Sequence, residues 1–507
     1  MQPDLLEDRM ALLLRMLEEE GIETAGEPDV PRRSGAGPVP ASSTQRRLWF
    51  LDRVQPGSTA YNIPRATLLS GPLDPAALGR AVRALADRHE ALRTTFGEVD
   101  GQPVQEVAPP GREVLRVVEL GRVAAGERDA VALRAARGLA RRPFDLARGP
   151  LFRAALLRLA EDRHLLLLET HHIVSDGWSS EVIGRELQAL YAAFARGAEP
   201  SLPEPPVQYA DFAAWQQGEE ATERMREQLA FWERRLAGAP LLELPTDRPR
   251  PPVRSDRGGV VHALLDPELA GALRRLARGE GTTPFVVGLA AFCVLASRWS
   301  RATDVVVGTP IAGRTRPSLQ EVVGFFANVL PLRVDLGGTE RPSFRALLAR
   351  VREVSLEAQA NQDVPFERIL EAVGAERTLS HTPLVPVVFG YQEATSQGMR
   401  LPGVAATAVA MDATTSTFDL TFTAAEVDGR LRTECGYSAD LFDEDTVERL
   451  LRQYRELLRS AVADPDLPVG RLPLLDAAER AEVLAAGRAR AAHPVRDTLH
   501  ARFAARA

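Results

Sequence analysis

The sequence predicts a mixed α/β fold built as two packed lobes, and three observations carry that prediction. The 507 residues exceed the size at which a single hydrophobic core stops growing, so two cores are expected. Hydrophobic residues make up 45% and charged residues 26%, the composition of an ordinary soluble globular protein. Segments with helical and with strand patterns alternate from Ser42 to about Gly470 without a low-complexity stretch, which indicates an α/β (α+β) body.

Composition excludes several classes of function. The net charge of -7 and the sequence pI of about 5.8 argue against nucleic-acid binding. The chain has no lysine, which excludes Schiff-base catalysis and a P-loop. Cys293 and Cys435 form neither a metal-binding nor a disulfide pattern, and the first residues do not resemble a signal peptide. A reduced cytoplasmic setting is therefore expected, with no membrane span.

Apolar patterns place several elements along the chain. The run from His164 to Leu168 predicts a buried strand, and a helix capped by Ser179 or Ser180 should follow it. Thr283-Pro284 is typical of a helix start. Further predicted elements are strands at Val305–Val307 and Leu330–Leu336, a late helix over Val447–Leu458, an amphipathic helix at residues 4–20 and a linker at 26–40.

The chemistry-bearing segment is His171-His172-Ile173-Val174-Ser175-Asp176-Gly177-Trp178-Ser179. It follows the predicted strand, whose successive residues face opposite sides, so the two histidines cannot point at one site. Three interpretations stay open from these residues. A metal site lacks the usual ligand spacing and a completing Cys or Glu. A structural histidine pair in a turn is common. An imidazole near its free pKa of about 6.5 could instead act as a general base.

This segment resembles the HHxxxDG motif of nonribosomal peptide synthetase condensation domains. Six other segments resemble the remaining family motifs and occur in the family's order: Ser43–Trp49, Arg88–Phe96, Tyr209–Trp215, Val323–Asn328, Asn361–Glu367 and, loosely, Arg377–Leu384. Three positions depart from the family pattern: Asn361 replaces the usual His, Ala327 a Val- or Thr-like residue, and His381 a frequent Arg. The departures concern the channel wall and the domain junction.

The resemblance implies two chloramphenicol acetyltransferase-like lobes arranged as a V around a central tunnel. It places the lobes at about 41–215 and 216–470, after a helix and linker at 1–40 that could dock an upstream synthase subunit. A donor acyl or peptidyl thioester and an acceptor aminoacyl thioester would enter from opposite faces, each on the 4'-phosphopantetheine arm of a carrier protein. No bound cofactor or metal is expected. Residues 471–507 resemble a linker and the start of an adenylation domain in the same chain.

Roles follow residue by residue from the resemblance. His172 would deprotonate or orient the acceptor amine, and the Gly177 N–H is a candidate donor to the thioester or its oxyanion. Asp176 would be structural and paired with an arginine, first Arg314 and otherwise Arg93. His171 would pack behind the loop through a hydrogen bond. Trp178 would fill core.

The continuation after the motif is similar to domains that join an L-donor to an L-acceptor, and the protein is expected to be a monomer. The motif's histidines exclude the cyclising subclass, which has aspartates there. Two alternatives from other classes stay open: a catalytically silent platform that recruits carriers, and a stand-alone acyltransferase that uses coenzyme A thioesters.

Overall fold

The computed structural model describes residues 30–35, 37–219, 222–337, 342–375, 378, 380–393, 399–411, 415–427, 429–488 and 498–506. The predicted helix at 4–20 and Arg377 of the seventh motif lie outside these residues.

The first lobe is built on a five-stranded sheet with the strand order β12-β2-β7-β6-β5. Helices pack against both faces of this sheet. A second, small sheet has the order β1-β4-β3. The strands are β1 (Val39–Pro40), β2 (Asn62–Ser70), β3 (Thr94–Val99), β4 (Gln102–Val107), β5 (Leu115–Glu119), β6 (Phe152–Ala160) and β7 (Arg163–His171). The helices are α1 (Ser43–Val54), α2 (Pro75–Arg88), α3 (Arg128–Ala140), α4 (Gly177–Ala195) and α5 (Tyr209–Glu219). Helix α6 (Glu223–Leu236) follows and packs into the core of the second lobe.

The second lobe is built on a six-stranded sheet of order β10-β9-β11-β13-β14-β8. Its strands are β8 (Gly258–Leu265), β9 (Asp304–Ile311), β10 (Asn328–Asp335), β11 (Val387–Glu393), β13 (Leu420–Val427) and β14 (Arg430–Ser438). Its helices are α7 (Pro267–Gly279), α8 (Pro284–Ser300), α9 (Phe344–Ala360), α10 (Phe366–Ala372) and α11 (Glu444–Ala463), and α12 (Ala477–Arg488) and α13 (Leu499–Ala504) follow. The core of this lobe surrounds α8, which is buried along most of its length.

Two segments of the second half of the chain belong to the first lobe. Strand β12 (Ala405–Val409) pairs antiparallel with β2 and so forms the edge of the first lobe's sheet. The loop at 317–326 inserts Leu319, Val323 and Phe326 into the first lobe's core. The second half of the chain thus contributes one strand and one loop to the first lobe.

The predicted elements can be compared with the structure. The strands predicted around His164, Val305 and Leu330 are confirmed as β7, β9 and β10, and the late helix is confirmed as α11. Thr283 caps α8 with Pro284 in its first turn, as predicted. The predicted cap of α4 is wrong: the cap is Asp176, whose side chain accepts the Ser179 N–H, because its carboxylate is the group that faces the first turn.

In the described part of the chain, no helix on its own has the length and apolarity needed to cross a bilayer, and α7 and α8 meet that test only as a pair bent by 105°.

Candidate active site

The His171–Trp178 segment lies where β7 ends and α4 begins. His171 is the last residue of β7, and His172–Val174 form one turn of 3₁₀ helix. The main-chain N–H of His172 donates to the Tyr61 carbonyl at 2.8 Å, which extends the β2–β7 pairing by one residue. Both histidines are therefore held by strand hydrogen bonds while the chain turns into the helix.

His171 is buried behind the loop, as predicted. Its Nδ1 accepts the Ile173 N–H at 3.1 Å, and its ring packs against Phe144 and Tyr61. Burial lowers the pKa of His171 to about 3, with a smaller contribution from the neighbouring His172. A ring that is neutral and already accepts a main-chain bond orients the turn and is not placed to exchange protons with a substrate.

His172 has its tautomer fixed by a hydrogen bond. Its Nδ1 lies 2.8 Å from the Ser175 carbonyl oxygen. A carbonyl oxygen can only accept, so Nδ1 carries the hydrogen, and in the neutral ring Nε2 keeps its lone pair. The ring also packs on Phe325, with the ring centroids 4.5 Å apart.

The surroundings keep His172 neutral. Burial is the largest effect and lowers its pKa, and the guanidinium of Arg47 lowers it further. The Asp176 carboxylate and the bond to Ser175 oppose this shift without reversing it. At neutral pH the ring is therefore an unprotonated imidazole, which is the form that can accept a proton.

Asp176 is the hub of a buried polar network. One carboxylate oxygen accepts the Ser179 N–H at 2.7 Å and Arg314 Nη2 at 3.2 Å. The other oxygen accepts the Phe326 N–H at 3.0 Å. The side chains of Asp176 and Arg314 are each only 1% exposed. Solvent does not reach this pair, and both carboxylate oxygens accept hydrogen bonds. The pair therefore fixes the position of the loop relative to the second half of the chain.

Arg314 forms the ion pair expected for it, whereas Arg93 does not. Arg314 also donates to Ser179 Oγ at 2.8 Å and to the Leu319 and Val322 carbonyls, and its guanidinium lies over the Phe326 ring at 4.1 Å. Arg93 instead donates to the Ala108 carbonyl at the end of the 3₁₀ turn that precedes β3, so the alternative pairing is wrong.

Two glycines allow the 313–326 segment to close against the motif. Gly313 has a φ of 65°, and a Cβ there would lie 2.1 Å from the Phe326 carbonyl oxygen. A Cβ on Gly324 would lie 1.9 Å from the Tyr209 ring. Tyr209 in turn donates to the Phe325 carbonyl at 2.7 Å. These close approaches hold Phe325 against His172, so neither glycine can be replaced without displacing the site.

The other side of the loop is open. Gly177 is exposed, and a Cβ there would meet nothing within 4 Å. Its N–H belongs to the first turn of α4, where main-chain donors have no partner within the helix. Trp178 is 44% exposed, and its Nε1 donates to the Gln320 carbonyl at 2.8 Å. The prediction that Trp178 fills core is therefore wrong, because its helix face borders a cavity.

Three cavities approach the motif from different directions. One of about 180 Å³ is lined by Arg47, Tyr61 and His171. The second is a surface cleft of about 620 Å³ beside Arg224 and Asp363. The same two residues also line a smaller cavity of about 60 Å³, which reaches Thr44 and Phe325. The third, of about 770 Å³, lies between β2, α4 and β12, with Trp178 at its border. Space for substrates therefore lies beside the exposed residues of the loop and beside His171 and Phe325, which flank His172.

Four residues of the site were not assigned a role from the sequence: Arg47, Tyr209, Phe325 and Glu367. Arg47 and Glu367 form an ion pair of 3.3 Å that joins α1 to α10. The Phe325 ring packs on His172, and Tyr209 holds Phe325 through its hydrogen bond to the Phe325 carbonyl. All four stand inside segments that resemble family motifs, which was the available signal, but their grouping depends on contacts between distant parts of the chain.

The comparisons with known proteins agree with this site. The profile of the Condensation domain family matches residues 36–484. A subunit of the linear gramicidin synthase from Brevibacillus parabrevis is 46% identical over 449 residues, which cover 88% of this chain and 9% of that much longer protein. The phosphinothricin tripeptide synthetase PhsC from Streptomyces viridochromogenes is 41% identical over 454 residues, which cover 89% of this chain and 41% of PhsC.

A solved structure, the complex of the X-domain and OxyB from teicoplanin biosynthesis, is also similar. The TM-score is 0.80 at 31% identity, and the match covers 89% of this chain and 99% of that chain. The chain belongs to the condensation domain family, and its two lobes have the chloramphenicol acetyltransferase-like fold expected from the sequence. It spans less than half the length of the curated synthetases named above.

Proposed function

We propose that this domain forms an amide bond between a carrier-bound donor thioester and the amine of a carrier-bound aminoacyl thioester. The observation that carries the proposal is the hydrogen bond that fixes the tautomer of His172. Its Nδ1–H is held by the Ser175 carbonyl, burial keeps the ring neutral, and the Nε2 lone pair is left for a substrate proton. The family membership and the synthetase relatives support the same reaction.

In this reaction the acceptor nitrogen attacks the donor carbonyl carbon and loses a proton to His172 Nε2. The C–S bond breaks as the C–N bond forms, and the leaving thiolate takes up a proton. General base catalysis of this kind contributes about 10²–10⁴-fold in rate, and positioning supplies much of the rest. The Gly177 N–H, at the N-terminus of the 19-residue α4, would donate to the carbonyl oxygen as it gains charge.

Two cavities fit the arms that deliver the substrates. The cavity beside Arg47 and Tyr61 borders His171 on one side of His172, and the small cavity that shares Arg224 with the surface cleft borders Phe325 on the other. Donor and acceptor 4'-phosphopantetheine arms would use these two routes. The partners are then upstream and downstream carrier proteins, with an adenylation domain after residue 471 and an L-donor, L-acceptor subtype, as the resemblance implies.

A second candidate is a platform that binds a partner without catalysis. The observation in its favour is the similarity to the teicoplanin X-domain, whose solved complex contains OxyB. Against it, the base, its fixed tautomer and the buried support around Asp176 are all intact in this chain. A stand-alone acyltransferase that uses coenzyme A is the third candidate.

One experiment separates the three. Donor-loaded and acceptor-loaded carriers are mixed with the full chain, and product mass is followed in a single turnover; the donor is then supplied as a coenzyme A thioester. We expect rapid amide formation from the carrier pair, because docking raises the local thioester concentration to roughly millimolar. The coenzyme A donor should react more slowly, mainly through a higher KM. Equal efficiency would favour the stand-alone acyltransferase, and no product from folded protein would favour the platform.

A further inference from the structure

The first histidine of the motif has one ring nitrogen that bonds to no described residue. Burial keeps the ring of His171 neutral, and its Nδ1 accepts the Ile173 N–H at 3.1 Å. In a neutral ring whose Nδ1 is an acceptor, the hydrogen lies on Nε2. None of the residues that the structure describes accepts that Nε2–H. The two histidines therefore hold opposite tautomers: His172 has a lone pair on Nε2, and His171 has a donor there.

The Nε2 atom of His171 is accessible from a cavity. His171 is only 4% exposed, yet Nε2 is not sealed inside the protein. The cavity that His171 borders is the one of about 180 Å³ beside Arg47 and Tyr61. His164, on the same strand, is different: it is 1% exposed, and both of its ring nitrogens are sealed without a partner. Of these two buried histidines of β7, His171 is the one that can reach a bound molecule.

Two other groups in the wall of this cavity also have hydrogens to donate. The Tyr61 hydroxyl makes no hydrogen bond with the described residues, and Arg47 donates to them from only one guanidinium nitrogen, to Glu367 at 3.3 Å. Glu367 offsets the charge of Arg47, and His171 is neutral. Such a wall favours an oxygen that accepts hydrogen bonds without a full negative charge. Carbonyl oxygens have this character, and a pantetheine thioester carries them on its amides and at its reacting end.

We propose that the Nε2–H of His171 donates a hydrogen bond to a carbonyl oxygen of the pantetheine thioester that lies in this cavity. The inference rests on the proposed function, which routes one arm through the cavity. His171 directly precedes His172, and adjacent Cα atoms are about 3.8 Å apart. An arm that reaches His172 by this route therefore passes the ring of His171. The first histidine of the motif binds the substrate, and the second accepts its proton.

Two substitutions separate the roles of the two ring nitrogens. His171→Asn places an amide oxygen near the position of Nδ1, so it can keep the bond to Ile173, but it removes the donor at Nε2. His171→Gln places an amide N–H near the position of Nε2 and loses the acceptor at Nδ1. His164→Asn is the matched control, because it replaces a buried histidine of the same strand whose nitrogens are sealed.

Amide formation is measured with the full chain while the donor, and then the acceptor, is varied as its N-acetylcysteamine thioester. His171→Asn should raise KM about 3- to 10-fold for one of the two substrates and leave kcat nearly unchanged, because a neutral hydrogen bond made equally in the ground and transition states is lost. His171→Gln should lower stability in urea and keep that KM close to the wild-type value. His164→Asn should change stability alone.

Ethyl thioesters of the same acids, which have no amide, identify the carbonyl that is bound. If the increase in KM caused by His171→Asn disappears with the ethyl thioester, His171 binds the amide carbonyl next to the sulfur. If the increase persists, His171 binds the thioester carbonyl itself. Either result supports the hydrogen bond.

An unchanged KM in folded His171→Asn would overturn the inference, and so would an equal increase for donor and acceptor, which would indicate a general distortion of the site. A larger increase in His171→Gln than in His171→Asn would show that the Nδ1 bond alone matters. If the wild type forms no amide, the proposed function fails, and the contact is tested by binding. Pantetheine should then shift the nitrogen NMR signal of His171 Nε2 in histidine-labelled protein, and an unshifted signal would reject the contact as well.

Discussion

The two halves of the motif loop differ in how deeply they are buried. In the buried half, Asp176 and Arg314 share a dense set of hydrogen bonds that excludes solvent. In the open half, Gly177 and Trp178 are exposed, and the tautomer of His172 leaves the Nε2 lone pair available to accept a proton. The fold thus holds one side of the turn rigidly so that the other side can present a base and main-chain donors to substrates.

The open half should give the largest effect on activity. His172→Ala is expected to leave the fold intact and to lower the rate of amide formation by about 10²–10⁴-fold, because it removes the proton acceptor and nothing else in the motif faces the same way. Single-turnover product mass measures the change. His262→Ala, at an exposed histidine on β8, is the control. Near-wild-type turnover in folded His172→Ala would leave positioning alone as the source of catalysis.

The buried half should give the largest effect on stability. Asp176→Ala and Arg314→Ala should each lower the free energy of unfolding by about 3–5 kcal/mol, since each leaves a partner charge buried and unpaired. The double variant should cost much less than the sum of the two. Urea unfolding measures these values. Glu98→Ala breaks an exposed pair with Arg53 and should cost about 1 kcal/mol or less. Additive losses for Asp176 and Arg314 would contradict the pairing.

A smaller effect is expected from the charged groups near His172, because they shift the pKa of its ring. Arg47, on α1, lowers the pKa of His172, whereas Asp176, the cap of α4, raises it. Arg47→Gln should therefore raise the pKa of His172 and move the acid limb of the pH–rate profile to higher pH, because more of the base is protonated at a given pH. Arg53→Gln, at an exposed position on the same helix, is the control. An acid limb that stays at the same pH would show that Arg47 does not affect the pKa of His172.

The smallest effect should be a pH dependence of stability near His171. Its pKa of about 3 means that the unfolded chain binds more protons below pH 6.5, so this group lowers stability as the pH falls. Glu169, on the same strand, has its pKa raised by burial to about 7, so the folded state binds more protons above pH 4.5. The two slopes oppose each other between pH 4.5 and 6.5.

Glu169→Gln should expose the slope that His171 causes. Its stability should fall between pH 6.5 and 4.5, whereas that of the wild type changes little there. Urea unfolding at constant ionic strength measures both curves. In the Glu169→Gln background, His171→Ala should lower stability at neutral pH and remove this dependence. Parallel curves for Glu169→Gln and the wild type would show that the two groups do not titrate as assigned.

Local patterns were sufficient for much of the fold. The apolar run of β7, the Thr283-Pro284 start of α8 and the alternation in β10 each reflect a constraint that acts within a few residues. The pairing of Asp176 with Arg314 joins residues 138 apart, and it could be predicted only through the family resemblance. The cap of α4 was misassigned because three candidate caps stand within five residues and the backbone direction at Asp176 decides among them.

Trp178 was misassigned for a different reason. A large apolar ring beside a buried motif normally packs inside a core. Its helix face instead meets a cavity whose far wall is built around β12, more than 200 residues later in the chain. The contacts between the lobes, and the cavities that these contacts enclose, are therefore the features that are hardest to predict from the sequence.

Strand β12 comes from the second half of the chain but completes the sheet of the first lobe, so the first lobe cannot form its full sheet when it is produced alone. A fragment that ends near residue 215 would lack the five residues that pair with β2, and it would present that strand as an open edge with unpaired main-chain groups. Such edges recruit strands from other molecules and promote aggregation. The fragment should therefore associate with itself until a peptide covering 401–411 is supplied in trans. Strand β12 could then be used to assemble the domain from two separate pieces.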